Sequence, residues 1–171
     1  MSYTLERIAS LVGAHLWGSE AVEVRWILTD SRSLCFPEDT LFFALRSFVV
    51  SRLPEDMTSC PDANFLQVVS PLKALQRLAE RHREAFDIPV VGITGSNGKT
   101  VVKEWLYQLL SPEKNVTRSP RSYNSQIGVP LSVWNLDERS EVGLFEAGIS
   151  EPGEMEALQS VIQPTIGVFT C

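Results

Sequence analysis

Three observations predict an α/β fold, a small N-terminal α/β domain followed by a parallel-sheet domain built on a phosphate loop. The first is the stretch Val90-Val91-Gly92-Ile93-Thr94-Gly95-Ser96-Asn97-Gly98-Lys99-Thr100, an apolar, β-branched strand that enters a glycine-bearing loop and then a helical run to Leu110. The second is the alternation of strand and helix patterns from Pro89 onward, which predicts a doubly wound parallel sheet with right-handed crossovers. The third is the proline-closed junction Asp87-Ile88-Pro89, which divides the chain into residues 1–87 and 88–171.

Taken in order, Thr4 caps a short helix whose apolar positions Leu5, Ile8, Leu11 and Val12 recur at helical spacing, and Gly13 stops it. Val22, Val24 and Trp26 alternate with Glu23 and Arg25 in a half-buried strand that continues through Ile27-Leu28. The polar tetrad Thr29-Asp30-Ser31-Arg32 follows, and on composition it reads as a turn, because Asp and Ser bond their own backbone. Leu41–Leu45 and Phe48–Val50 are both strand-like, yet Arg46-Ser47 between them lacks turn residues. Either one strand runs unusually long or a segment of chain is absent at that junction. Asn64–Val69 is a further strand. Ser70-Pro71 opens a helix with Leu72, Leu75, Leu78, Ala79 and Phe86 on its apolar face, and Arg77, Arg81, His82 and Arg83 on a face expected to be solvated.

The phosphate loop carries the chemistry. Its glycines let backbone N–H groups approach phosphate oxygens, Lys99 supplies a positive charge, and the Thr100 hydroxyl can ligate Mg²⁺. In the general G-x-x-x-x-G-K-[ST] pattern the first glycine would fall at Ile93; here the spacing is the more compact Gly95-x-x-Gly98-Lys99-Thr100. Val102, Trp105, Leu106 and Leu109 are expected to form the inward face of the next helix, which Ser111-Pro112 ends. Val116–Arg118 is a short strand, and the polar connection Ser119–Pro130 after it is long enough to suggest function. A helix over Leu131–Leu136 then leads to Val142-Gly143-Leu144-Phe145-Glu146-Ala147-Gly148, an apolar strand that ends with a carboxylate. Ligands gather at the carboxyl ends of parallel strands, so Glu146 is expected near Lys99 and Thr100, where it either helps hold Mg²⁺ or is simply an exposed strand end. A helix opened by Pro152-Gly153 and the strand Pro164–Thr170 complete the pattern.

The 15 basic and 21 acidic residues give a net charge of −6, which leaves no electrostatic footprint for nucleic acid. Cys35, Cys60 and Cys171 are odd in number and lack metal-type spacing, as expected in a reducing compartment. The N-terminus has no apolar signal core, and no run approaches the roughly 20 apolar residues of a membrane span. A soluble cytoplasmic protein without membrane insertion is expected.

The loop Thr94–Thr100 resembles that of the ATP-dependent Mur ligases of bacterial cell-wall synthesis, which depart from the general glycine spacing in the same way. Lys103-Glu104 and Tyr123-Asn124-Ser125-Gln126-Ile127-Gly128-Val129-Pro130 are similar to the branch that joins D-alanyl-D-alanine to UDP-N-acetylmuramoyl-tripeptide. Gly98-Lys99-Thr100 differs from the Gly-Lys-Gly-Ser usual in the related folylpolyglutamate synthetases. The resemblance implies that residues 1–87 form a UDP-substrate-binding domain, with Thr29-Asp30-Ser31-Arg32 as the uridine-recognition segment and Ser31 and Arg32 as its contacts. It implies that residues 88–171 belong to a truncated ATP-binding domain. There Gly95, Ser96, Asn97, Gly98, Lys99 and Thr100 hold ATP, Thr100 and Glu146 hold Mg²⁺, Lys99 and Glu146 are catalytic, and Asn124 touches ATP or the muramoyl substrate. The family places roughly twenty further residues at the Arg46–Ser47 junction, which fits the missing turn, and continues past Cys171, where Asn is expected, into a closing domain. A fragment without that domain is expected to bind nucleotide weakly and turn over negligibly. Some members carry a downstream alanine racemase domain, and pyridoxal phosphate is expected only with that domain. The competing reading is a nucleotide-binding regulatory module without ligase chemistry; it lacks a guanine-specifying Asn-Lys-x-Asp.

Overall fold

The computed structural model describes residues 2–28, 40–42, 47–55 and 62–171. Ser31, Arg32, Cys35, Cys60 and the Arg46–Ser47 junction lie outside the described residues. The chain divides into two compact units, Met1–Leu78 and Ala79–Cys171, and the division falls inside a helix, ahead of Asp87-Ile88-Pro89.

In the first unit, β1 (Tyr3–Thr4) pairs antiparallel with β3 (Glu23–Val24), and between them lie α1 (Leu5–Val12) and β2 (His15–Trp17). Thr4 caps α1 as expected: its hydroxyl accepts the Arg7 N–H at 3.2 Å, and Gly13 ends the helix in the left-handed conformation at φ 67°. β7 (Asn64–Gln67) takes β2 antiparallel on one side and β6 (Ser47–Val50) parallel on the other. β4 (Trp26–Leu28) and β5 (Thr40–Phe42) form a separate parallel pair. The strand expected over Val22–Leu28 is thus two short ones with different partners. Leu5, Ile8, Val24, Phe65 and Leu66 are among the buried apolar side chains here.

The second unit is organised by a four-stranded sheet in the order β11-β8-β10-β9, all parallel. Its strands are β8 (Val90–Gly95), β9 (Val116–Arg118), β10 (Val142–Glu146) and β11 (Ile166–Thr170), joined by α3 (Lys99–Leu110), α4 (Gly128–Val133) and α5 (Glu154–Ile162). Val91, Ile93 and Leu144 point to the α3 side, where Val102, Leu106 and Leu110 meet them. Val90, Phe145 and Ala147 point to the opposite side, against Val129 and Val133 of α4 and Leu158, Val161 and Ile162 of α5. Burial on both faces explains the near-continuous apolar run of β8. The path from β8 to β9 moves one way across the sheet with α3 on one face; the later crossovers return the other way with α4 and α5 on the other face. All three crossovers therefore share one hand, in keeping with the doubly wound expectation.

Three local expectations change. Trp105 and Leu109 are 63% and 75% exposed, because α3 turns Val102, Lys103 and Leu106 toward the sheet instead. α4 begins at Gly128 rather than Leu131: Pro130 falls in its first turn, where no N–H is needed, and the Ser125 hydroxyl accepts the Gly128 N–H at 3.1 Å. The solvated face expected on α2 (Pro71–Arg83) is interrupted by His82 and Arg83, both buried. Arg83 donates to the carbonyls of Ile162 and Gln163 at the end of α5, at 3.1 and 3.3 Å, and to Phe86 O at 2.6 Å. A cation thereby satisfies helix carbonyls that have no intrahelical partner. His82 packs between Phe86 and Trp134 with Nε2 3.0 Å from Leu136 O.

The centre of the sheet constrains the loop that follows it. Gly95 ends β8 at φ 135°, opposite Thr170 of β11, and a Cβ there would lie 1.9 Å from the Thr170 carbonyl oxygen. Gly98 also has positive φ, 77°, but a Cβ would meet only Thr170 Cβ, at 3.9 Å. Gly95→Ala is expected to cost about 3 kcal/mol or more, combining backbone strain with a clash against backbone. Gly98→Ala should cost about 1–2 kcal/mol from strain alone. Urea denaturation of both variants checks this ranking, and equal losses would contradict it.

Burial pushes the His82 pKa from 6.5 down to about 4. The unfolded chain therefore binds the extra proton first, and stability present above pH 6.5 is lost as the pH falls toward 4, by up to about 3 kcal/mol. In His82→Gln this contribution is absent, so the stability advantage of the parent over the variant should shrink across that pH range in denaturation curves.

Candidate functional site

The site lies at the carboxyl ends of β8, β10 and β11. No side chain caps α3, whose N-cap is Gly98, so its first-turn N–H groups point into the loop without a capping partner. Ser96, Asn97 and Gly98 are exposed, and Lys99 and Thr100 are half-buried. Lys99 Nζ donates to Gly95 O at 2.6 Å and so spans the loop from its last residue to its first. The Thr170 hydroxyl holds the loop from β11, within hydrogen-bond reach of the Thr94 carbonyl, 3.2 Å away, and of the Asn97 carbonyl. On the β10 side, the Thr94 hydroxyl donates to Ala147 O at 2.9 Å. The loop backbone is therefore held from both neighbouring strands.

Glu146, the last residue of β10, is fully buried. The Thr100 hydroxyl donates to its Oε2 at 3.0 Å, so the two residues expected to meet do meet. Its other oxygen, Oε1, lies 2.8 Å from Nζ of Lys103, an ion pair off hydrogen-bond alignment between two side chains with no exposed surface. Lys103 also donates to Arg121 O and lies 3.3 Å from Glu104, which in turn pairs with Arg118. The Arg118 guanidinium sits 3.7 Å from the centroid of the Tyr107 ring.

The connection after β9 is laced to the same strand end. The Ser119 hydroxyl accepts the Glu146 N–H at 3.2 Å, the Ser119 N–H donates to Leu144 O at 3.0 Å, and Asn124 O accepts the Gly148 N–H at 2.8 Å. Asn124 is thus carried to the end of β10, two residues beyond Glu146. Lys103, Ser119 and Thr170 have structural parts at this site that no spacing argument assigned. Lys103 does stand four residues after Lys99, one helical turn on, which is the signal a search of the inward arc of α3 could have used.

Thr100 and Glu146 present hard oxygen donors side by side, the Glu146 oxygen on that side being Oε2, while Oε1 lies against Lys103. This donor set suits Mg²⁺, which is bound through one or two carboxylates together with substrate phosphates. Among the described residues there is no cluster of three or more His, Cys, Asp or Glu side chains for a self-contained metal centre. Nor is any helix among them long and apolar enough to cross a membrane.

Residues 93–171, which include the loop and Glu146, match the Mur ligase middle domain. Over 170 residues the chain is 34% identical to the UDP-N-acetylmuramoyl-tripeptide--D-alanyl-D-alanine ligase of Synechocystis sp., an alignment covering 89% of the chain and 37% of that relative. The fold is similar to that of UDP-N-acetylmuramoylalanyl-D-glutamyl-2,6-diaminopimelate--D-alanyl-D-alanyl ligase from Acinetobacter baumannii, with a TM-score of 0.85 at 21% identity over 99% of the chain and 41% of that structure. It is similar also to MurF ligase from Thermotoga maritima, solved in complex with ADP, with a TM-score of 0.66 at 24% identity over 82% of the chain and 36% of that structure. The chain thus spans well under half the length of these relatives. A parallel sheet with this compact phosphate loop, together with the sequence match across it, makes residues 93–171 similar to the middle domain of the Mur ligases.

Proposed function

We propose that the chain is part of an ATP-dependent ligase of peptidoglycan precursor synthesis, acting in the cytoplasm to join D-alanyl-D-alanine to UDP-N-acetylmuramoyl-tripeptide. Residues 1–87 serve the UDP-bearing substrate, through Ser31 and Arg32, and residues 88–171 serve ATP. The observation that carries the reading is the Thr100–Glu146 contact at the mouth of a phosphate loop with a free helix N-terminus. The curated name of the Synechocystis relative and the ADP complex of the Thermotoga maritima structure support the substrate and nucleotide assignments.

In this reading the loop from Gly95 to Thr100 cradles the phosphates, with Lys99 leaving the Gly95 carbonyl to neutralise the β- and γ-phosphates. Thr100 and Glu146 would hold Mg²⁺, which would supply charge stabilisation to the transferring phosphoryl group. The tripeptide's terminal carboxylate attacks the γ-phosphorus and ADP leaves. The amine of D-alanyl-D-alanine then attacks the acyl carbon, loses a proton, and inorganic phosphate departs as the amide forms. Lys99 and Glu146 act at the first step by charge and position, and Asn124, held at the end of β10, contacts ATP or the muramoyl substrate.

Calorimetry of the 171-residue chain with Mg-ATP tests the nucleotide half. Lys99→Ala should weaken binding about tenfold or more, the loss of one charge-assisted phosphate contact. Undiminished affinity would remove Lys99 from the site. Titration with UDP-N-acetylmuramoyl-tripeptide tests the substrate half in the same way through Arg32→Ala.

A further inference from the structure

The fully buried Lys103 is left without a task by phosphate binding. Its ammonium touches Glu146 Oε1 at 2.8 Å, the Arg121 carbonyl and, at 3.3 Å, the Glu104 carboxylate. With three oxygen partners from β10, the connection after β9 and α3 itself, and no exposed surface, it is held in place against that carboxylate oxygen. The Glu146 backbone is fixed by its N–H bond to Ser119 Oγ and its pairing opposite Ile93, and its fully buried carboxylate is held between Thr100 and Lys103. One carboxylate oxygen is therefore taken by a fixed positive charge, and the other, Oε2, faces Thr100.

We propose that Lys103 is a positioning residue that restricts Glu146 to one-oxygen coordination and so makes the nucleotide-bound cation site select Mg²⁺ over Ca²⁺. The proposal rests on the reading above that Thr100 and Glu146 serve a divalent cation. Mg²⁺ needs a compact octahedron and takes single carboxylate oxygens, often through its retained waters. Ca²⁺ takes six to eight oxygens at longer distances, commonly with a carboxylate gripping through both. A cation the size of Ca²⁺ that sought both oxygens of Glu146 would have to displace an ammonium that has no solvent to move into. Mg²⁺, or a water bound to it, needs only Oε2. The discrimination comes from geometry and local charge repulsion, not from the identity of the ligating residues.

The test is calorimetric titration of the 171-residue chain with ATP in excess Mg²⁺ or excess Ca²⁺, for the parent, Lys103→Gln and Glu146→Gln, with circular dichroism as the check on folding. The parent should bind ATP about tenfold tighter with Mg²⁺ than with Ca²⁺, and Lys103→Gln should bring the two affinities within about threefold by strengthening the Ca²⁺ complex. A folded Lys103→Gln protein that keeps the parental ratio overturns the proposal while leaving the cation reading intact. Should that variant fail to fold, the parent decides: a ratio near one overturns the proposal, and a tenfold preference supports it. Glu146→Gln distinguishes the underlying reading, since binding that is unchanged by this substitution and indifferent to either cation removes the cation from Glu146 altogether.

Discussion

The buried pair between Lys103 and Glu146 governs the rest of the second unit. Two opposite charges without solvent contact are costly to bury. Removing either partner from such a pair typically costs about 3–5 kcal/mol, because the other is left uncompensated. The chain meets that cost with a set of partners: Thr100 on one carboxylate oxygen, Lys103 on the other, and the Arg121 carbonyl and Glu104 on the ammonium. Three elements are thereby fixed together at the sheet's carboxyl edge. The same contact sets the rotation of α3 about its axis, since Thr100 and Lys103 must both face the end of β10.

The two faces of the sheet divide the work. On the α4 and α5 side, Val90, Phe145, Val129, Val133, Leu158 and Ile162 form a dry apolar cluster, and Arg83 seals the end of α5 through backbone carbonyls alone. On the α3 side a smaller apolar cluster gives way, toward the carboxyl edge, to charged and hydroxyl side chains. The larger apolar cluster lies on one face, and the other carries polar groups that satisfy one another near the carboxyl edge.

What was legible in the sequence follows from how far each contact reaches. The strand, loop and helix from Val90 to Leu110, the Thr4 and Ser70 caps and the Gly13 stop rest on neighbours a few residues apart, and each was readable from spacing. The meeting of Thr100 with Glu146 was readable from the rule that parallel strands present their carboxyl ends together. Trp105 and Leu109 were misplaced because an apolar count cannot see that a buried ion pair, not the greasiest arc, decides which way α3 faces. Burial of His82 and Arg83 was hidden for a related reason: their partners, Leu136 O and the end of α5, are 54 and 79 or more residues away. Ser119 and Thr170 likewise act through bonds to distant backbone, which leave no periodic trace.

The grip of Thr170 on the phosphate loop has a consequence in time as well as space. The carbonyls it reaches, those of Thr94 and Asn97, precede it by 76 and 73 residues, and Gly95 lies against its backbone. During synthesis the loop emerges early, with its strand and helix, but the brace that completes its outline is made only when β11 has been added beside β8. Contacts of such long sequence separation carry a loop-closure cost and form late. The loop after β8 is consequently one of the last parts of this unit to take shape, although it follows the first strand of the sheet to be laid down, and a nascent chain can acquire much of its hydrophobic centre before the loop is braced.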